Sequence, residues 1–478
     1  MSRLGWNGRP FSCGLLALLT LLGLLSSLRS DRAGTRVEAV EPPRVSSSAP
    51  ASTRQPQPTV PNPNDPGRTA VRIVASAPVE SDQTDWRMWR GPSANGIAAE
   101  GPEPPISWSE TQNVIWKTPV PGRGHSSPTL FGNQLFITTA DDRQQVQSVL
   151  AFHRQTGQLL WQTPVSQGGF PAQIHPHNTH ASPTVAVDGE CLFVTFFHHE
   201  SIQLSALSLD GKLLWQHTVG PFQPQRYRYG YAPSPTIYED LVIVAADFDG
   251  PSHLTAFDRK TGNPRWKTDR PSLVSYSSPI VARVAGRDQL LLSGGELVAS
   301  YAPQTGKLLW STPATTMATC GTMVWDGDLV FASGGFPKSE TVAIRADGSG
   351  QIVWRNNQKC YEQSMLATNG FVYAVTDNGV AYCWEAQTGK ERWQARLPGG
   401  AISASPTLAA GKIYATNERS TTYVFRAQPT QFELLATNPL EQEMFASATI
   451  SSGQIFMRVA SRQPERQETL YCLGVVRE

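Results

Sequence analysis

Ala256-Phe257-Asp258-Arg259-Lys260-Thr261-Gly262-Asn263-Pro264-Arg265-Trp266 is the stretch that decides the fold. A short apolar run meets a Thr-Gly turn, and a Trp follows four residues after the Gly. The pattern returns at Thr156-Gly157…Trp161, Thr305-Gly306…Trp310 and Thr388-Gly389…Trp393. Asp210-Gly211…Trp215 and Ser349-Gly350…Trp354 are variants of it, and Trp116 carries the same context without the turn. The seven Trp are spaced by 45, 54, 51, 44, 44 and 39 residues.

Upstream of each turn lies a second recurring unit, Ser-Pro-Thr followed by a Gly-bearing turn and a β-rich run. It reads Ser127-Pro128-Thr129, Ser182-Pro183-Thr184, Ser234-Pro235-Thr236, Ser278-Pro279-Ile280 and Ser405-Pro406-Thr407. Gly321-Thr322-Met323, Ser364-Met365-Leu366 and Ser447-Ala448-Thr449 are degenerate copies. Each unit holds four strands, A to D, with Gly turns joining A to B and C to D where a positive φ is needed. Four strands per ~40–50 residues specify a β-propeller. A pair of sandwiches or a solenoid would not regenerate the same turn and Trp at each period.

Eight such units begin near residues 127, 182, 234, 278, 321, 364, 405 and 447. The last has room for strand C (Leu470-Tyr471-Cys472-Leu473) but none for D. Asn113-Val114-Ile115-Trp116 is a D strand with no A, B or C of its own. The expectation is an all-β, eight-bladed propeller whose last blade is closed by the N-terminal strand, which removes the exposed edge. Trp116, Trp161, Trp215, Trp266, Trp310, Trp354 and Trp393 are expected to be structural, their flat rings wedged between blades. Glu433-Leu434-Leu435 takes the D strand of the seventh unit, which lacks a Trp.

Ahead of the repeats the chain changes character twice. Residues 1–30 carry Arg3 and Arg9, then an almost uncharged apolar run from Phe11 to Leu28, which reads as a signal peptide or an N-terminal membrane anchor. Residues 31–85 lack aromatics and hold nine Pro between Glu41 and Glu80; such a stretch cannot offset chain entropy and is expected to be a disordered linker. Residues 86–478 form the propeller domain. The expected setting is export, to the periplasm or cell envelope, anchored or secreted.

The 478 residues carry a net charge of +1, which argues against a basic nucleic-acid-binding surface. The 39 Gly and 37 Pro suit many short strands and turns. Six Cys are too few for a disulfide scaffold and form no CxxC. Cys320 and Cys360 start neighbouring A-strand regions, as a disulfide or as buried thiols.

The Ala-Phe-Asp-x-x-Thr-Gly-x-x-x-Trp repeat resembles that of the pyrroloquinoline quinone (PQQ) dehydrogenases and of their non-enzymatic relatives, including BamB-type outer-membrane assembly lipoproteins. The segment Trp86-Arg87-Met88-Trp89-Arg90-Gly91-Pro92, with Trp108-Ser109 and Ile115-Trp116-Lys117, is similar to secreted PQQ-like proteins of planctomycete-type bacteria. The resemblance covers residues 86–478. For the enzymes it implies a quinone held between a Trp and a vicinal Cys-Cys ring, Ca²⁺ bound by Glu, Asn and Asp, and an Asp base. This chain has no Cys-Cys pair, no haem motif and no local motif that singles out a base, so no catalytic residue is nominated. No G-x-S-x-G, H-E-x-x-H or phosphate loop occurs either.

All nine His fall between His125 and His253, in the first three blades. By the strand reading, D-to-A and B-to-C connections emerge on one face, around the channel mouth. His175, His177 and His180 are expected there on a D-to-A link, as polar loop residues or as metal ligands through neutral imidazoles. His125, His198, His199, His253 and the link Arg226, Tyr227, Arg228, Tyr229, Tyr231 complete a candidate binding face. The leading expectation is a non-catalytic, monomeric, protein-binding or envelope-scaffold propeller with no cofactor and no nucleic acid. A PQQ- and Ca²⁺-dependent dehydrogenase and a metal-binding sensor or carrier are the alternatives.

Overall fold

The computed structural model describes residues 85–272 and 274–475; the apolar segment 1–30 and all of the linker but Asp85 lie outside them. The described residues form 32 strands and no helix, so no helix among them is long and apolar enough to cross a membrane. The strands make eight four-stranded antiparallel sheets. Blade 1 is Thr129–Phe131, Gln134–Asp141, Val146–His153 and Leu159–Gln167, each strand hydrogen-bonded to the next. Blade 8 is Thr449–Ser451, Gln454–Ser461 and Gln467–Leu473, completed by Val114–Val120 from the start of the repeats. Trp116 pairs with Cys472 and Lys117 with Tyr471 in that closing ladder. The B and C strands are apolar on both sides because blades pack face to face: every residue of Leu241–Ala246 is buried.

A bulge just ahead of each repeated Trp orients it. In blade 3, Ala256 opposes Trp266 but Phe257 opposes Pro264, leaving Arg265 unpaired. The same shift recurs before Trp161, Trp215, Trp310, Trp354 and Trp393. A bulge bends and twists a strand locally, which re-aims the side chain that follows it. The ring then lies against an aromatic of its own blade, as Phe136 meets Trp161 and Phe331 meets Trp354, each at 6.0 Å between centroids. Its indole reaches the next blade: Nε1 of Trp116, Trp161, Trp266, Trp354 and Trp393 donates to the carbonyls of Arg154, Leu209, Pro303, Ala386 and Gln428. Trp310 works through Gln289, whose amide in turn donates to Ala346. The Gly of the next blade's turn sits on the ring. A Cβ at Gly211 would stand 2.6 Å from Trp161, and Gly211 has φ +86°, so the turn excludes other residues twice over. Two positions beyond the Trp, Thr118, Thr163, Thr268 and Thr312 donate to the carbonyls of Gly157, Gly211, Gly306 and Gly350. The Trp is therefore a latch onto the neighbouring turn as well as a spacer.

The segment before the closing strand has a role that the sequence reading did not give it. Trp86 and Arg87 accept backbone hydrogen bonds from Leu130 of blade 1 and Val187 of blade 2. Buried Arg90 donates to the carbonyls of Pro406 and Met365, and Asn95 to those of Trp325 and Ala367. Ile97 bridges Leu408 of blade 7. Residues 86–97 thus cross the ring from blades 1 and 2 to blades 5, 6 and 7, on the A-strand side.

Candidate functional site

A second ring surrounds the axis, made by the start of every A strand. The amides of Ser364, Ser405 and Ser447 donate to the hydroxyls of Ser405, Ser447 and Ser127 in the next blades. Ser127 donates to Thr184, Thr184 to Ser234, Ser234 to Ser278, and Thr322 to Ser364. The Thr322 hydroxyl also accepts from Trp89 Nε1 at 2.8 Å. The repeated Ser is thus a blade-to-blade connector. In blade 2 the connector is Thr184 rather than the aligned Ser182, because Ser182 is turned aside to Asn178 and Thr179.

Above this ring the axis opens into a chamber of about 200 Å³. Trp89 lines it from the crossing segment. The residue two before each connector faces it: His125, Ser182, Ala232, Tyr276, Cys320, Glu362, Ser403 and Phe445, one per blade. His175, His177, Tyr229 and Tyr361 add to the wall from the same links. Aromatic contacts run around it: His125 stacks on Phe445 at 4.7 Å, His177 meets Phe445 at 5.3 Å, His175 meets Tyr229 at 5.0 Å, and Tyr229 meets Tyr276 at 5.7 Å. Burial lowers the His125 pKa well below its ordinary value, with Arg123, Arg458 and Arg466 adding to the effect. Burial also lowers His175 and raises the Glu362 carboxyl. The wall therefore sets neutral His125 and His175 beside tyrosine phenols and a single acidic side chain, Glu362.

Of the residues nominated from sequence, His125, His175, His177 and Tyr229 line the chamber. His198 and His199 lie outside it at the edge of blade 2, with their Nδ1 atoms 2.9 Å apart. Arg226 and Arg228 are exposed on the blade-3 link, and Tyr227 packs on Phe336 of blade 5. Two nominations are corrected. Tyr231 is 4% exposed, donates to the Ala245 carbonyl and packs on Phe222, so it belongs to the core between blades 2 and 3. His253 opens a C strand at 1% exposure, its Nδ1 paired with Thr255, and faces Gly220 of blade 2. Neither presents a side chain to the mouth.

The three clustered imidazoles do not converge. His180 stacks on Phe170 at 4.1 Å, and His175 Nδ1 accepts from the His177 amide at 3.2 Å. His177 instead meets carboxylates from across the mouth: its ligand atom lies within 4.8 Å of those of Glu362 and Glu418. Sequence reasoning missed Glu362, Glu418, Tyr276, Tyr361, Cys320 and Phe445. The signal was present for Tyr276, Cys320, Glu362 and Phe445, as the position two before the repeated Ser or Thr. Cys320 and Cys360 are both free thiols; Cys320 lines the chamber, and Cys360 is buried with Sγ toward the Val375 carbonyl.

PQQ is a flat tricyclic ring with three carboxylates. Trp89 offers a flat surface, but the lining residues include no Arg or Lys to meet those carboxylates, and the five Cys among the described residues are free. Arg123, Arg419 and Arg462 line the adjoining mouth cavity beside His177 and Phe445 rather than the chamber itself.

A family model described as "Outer membrane protein assembly factor BamB", of the PQQ-repeat type, matches residues 97–230, 145–346 and 338–429. A protein named outer membrane protein assembly factor BamB, from Burkholderia pseudomallei, is 25% identical over 278 residues, 57% of this chain. The match spans 56%, about half, of that relative's length. Among solved structures, a europium-containing methanol dehydrogenase aligns at TM-score 0.61 and 11% identity, over 83% of this chain and 99% of its own. BamB from Moraxella catarrhalis aligns at 0.55 and 12%, over 76% and 98%. Quinohemoprotein alcohol dehydrogenase from Comamonas testosteroni aligns at 0.58 and 11%, over 82% and 81%. At these identities the structures share the fold alone. On the family match, which covers most of the repeats, the chain belongs to the BamB-type family of PQQ-repeat β-propellers.

Proposed function

We propose that the chain is an exported, non-catalytic propeller that binds a protein partner through its chamber mouth. The observation that carries this reading is the one-sided build of the axis. The chain's own segment 86–97 crosses the ring on the A-strand side. The other end is open and edged by half-exposed aromatic and imidazole side chains from several links. Aromatics and Arg at a concave rim suit anchoring of a partner side chain. The family assignment supports a scaffold role, and the apolar run Phe11 to Leu28 followed by the Pro-rich stretch supports the expectation of export to the cell envelope.

Site-specific photo-cross-linking in the producing organism tests this. A photoreactive residue at Arg228, on the mouth, should give a discrete heavier adduct. One at Arg287, on the turn face of blade 4, should not. Adducts from position 287 and none from 228 would refute the reading.

A further inference from the structure

The link into blade 2 runs from Gln167 to Ala186 and is the longest of the eight. It leaves its own blade and crosses the mouth: Arg123 donates to the Pro176 carbonyl at 3.2 Å, and His177 reaches Phe445 of blade 8 and Glu418 of blade 7. Glu362 comes from the link into blade 6, on the opposite side of an eight-membered ring, and Glu418 from the B-to-C turn of blade 7. Three separate connections therefore bring one imidazole and two carboxylates to a single point.

We propose that His177, Glu362 and Glu418 form a binding site for a divalent transition-metal ion, which pins the blade-2 link across the chamber mouth. His177 Nδ1 stands 3.9 Å from Glu418 Oε1. That is too long for a hydrogen bond. It is a span that an ion bonded to both at about 2.0–2.2 Å can bridge. Glu418 is already oriented, since Ser403 Oγ donates to its Oε1 at 2.6 Å, the kind of outer partner that fixes a metal-binding carboxylate. Glu362 is half-buried, with a carboxylate oxygen within 4.8 Å of the ligand atoms of His177 and Glu418. One nitrogen with two oxygens favours zinc or a similar borderline ion over Ca²⁺. Three protein ligands leave a coordination position open. The ligand set differs from the His175, His177 and His180 group that the sequence suggested. The proposal is independent of the protein-binding reading.

The test is zinc titration of the metal-free full chain by calorimetry, with hydrogen exchange of residues 168–185 as a second readout. One zinc per chain is expected, with slowed exchange in the link. His177→Ala and Glu362→Gln should each weaken binding at least about 100-fold, more than loss of an outer-shell partner does, and abolish the slowing. His180→Ala and His198→Ala should leave binding unchanged. Unchanged melting of the metal-free variants separates ligand loss from misfolding. Absence of stoichiometric binding, retention of zinc by His177→Ala or Glu362→Gln, or its loss in His180→Ala or His198→Ala would overturn the site.

Discussion

At the blade interfaces the chain says the same thing repeatedly. A Trp after a bulge meets a Gly turn of the next blade, and at four interfaces a Thr two positions on donates to that same Gly. At the chamber mouth it varies from blade to blade. The eight equivalent positions carry His, Ser, Ala, Tyr, Cys, Glu, Ser and Phe. Repetition serves closure, because each interface must supply similar burial for the ring to be regular. Variety at one register serves recognition, because only a particular set of side chains distinguishes one ligand from another. Blades 2 and 3 mark the contrast most sharply: both keep the bulge and the Trp on their outer strands, although blade 2 carries His217 where blade 3 has Thr268, while their links outgrow the repeat and lean across the mouth.

The largest effects should come from breaking what the two regions share, the buried supports between blades. Arg270 and Asp247 pair at 2.9 Å with both side chains 3% exposed, and Arg270 also reaches Tyr301. Asp247→Ala leaves a buried guanidinium uncompensated and should cost about 3–5 kcal/mol in chemical denaturation. Trp116→Ala, in the strand that closes the ring, should cost a similar ~3–5 kcal/mol through the cavity it leaves. Ile115→Ala, its 40%-exposed neighbour, should cost much less. If Ile115→Ala matched Trp116→Ala, the latch account of the interface would fail.

A smaller effect is expected at the turn. Gly211→Ala puts a Cβ against Trp161 at a positive φ, and should lower stability by about 1–3 kcal/mol. Gly286→Ala also has φ +77° but meets nothing within 4 Å, so it isolates the backbone part of that penalty. Equal losses at the two positions would show that the ring contact contributes nothing.

Acid should act on both regions through buried imidazoles. Burial brings His253 down to about 4, with Lys267 adding to it, and lowers His125 at the mouth. The folded chain then binds fewer protons than the unfolded chain between the depressed value and the ordinary ~6.5. Stability is therefore full above about pH 6.5 and falls as pH drops toward 4. His253→Gln should flatten that fall when denaturation is followed across this window. An unaltered pH profile would mean that His253 is not titrating in the unfolded chain alone.

The propeller was legible because its signals are redundant. Seven Trp, recurring Thr-Gly turns and matching deficits at the two ends gave blade number and closure from spacing alone. The site was half legible. Chain connectivity places a residue on a link, but not the direction of its side chain. Tyr231 and His253 sit at the ends of links, where the chain dives between blades 2 and 3, and so are core. Glu362 stands two before the repeated Ser of blade 6, a signal that marks the position but not its chemistry, and Glu418 lies on a short polar turn of blade 7 that no motif singles out. Their partner His177 belongs to the His-rich stretch, but its ligand geometry exists only once the blade-2 link crosses the ring. The segment Trp86-Arg87-Met88-Trp89 lies outside the repeats, and its passage across the axis has no local signal.

The smallest expected change in stability belongs to the mouth, where the largest change in function is expected. The double variant Tyr229→Ala, Phe445→Ala removes two partly exposed wall rings. Cross-linking from position 228 should be measured in this variant beside its melting temperature. The account predicts loss of the partner adduct with melting close to wild type, whereas Trp161→Ala should lower melting and leave the adduct of the folded fraction intact. An undiminished adduct in a normally folded double variant would contradict the claim that the mouth is the working face.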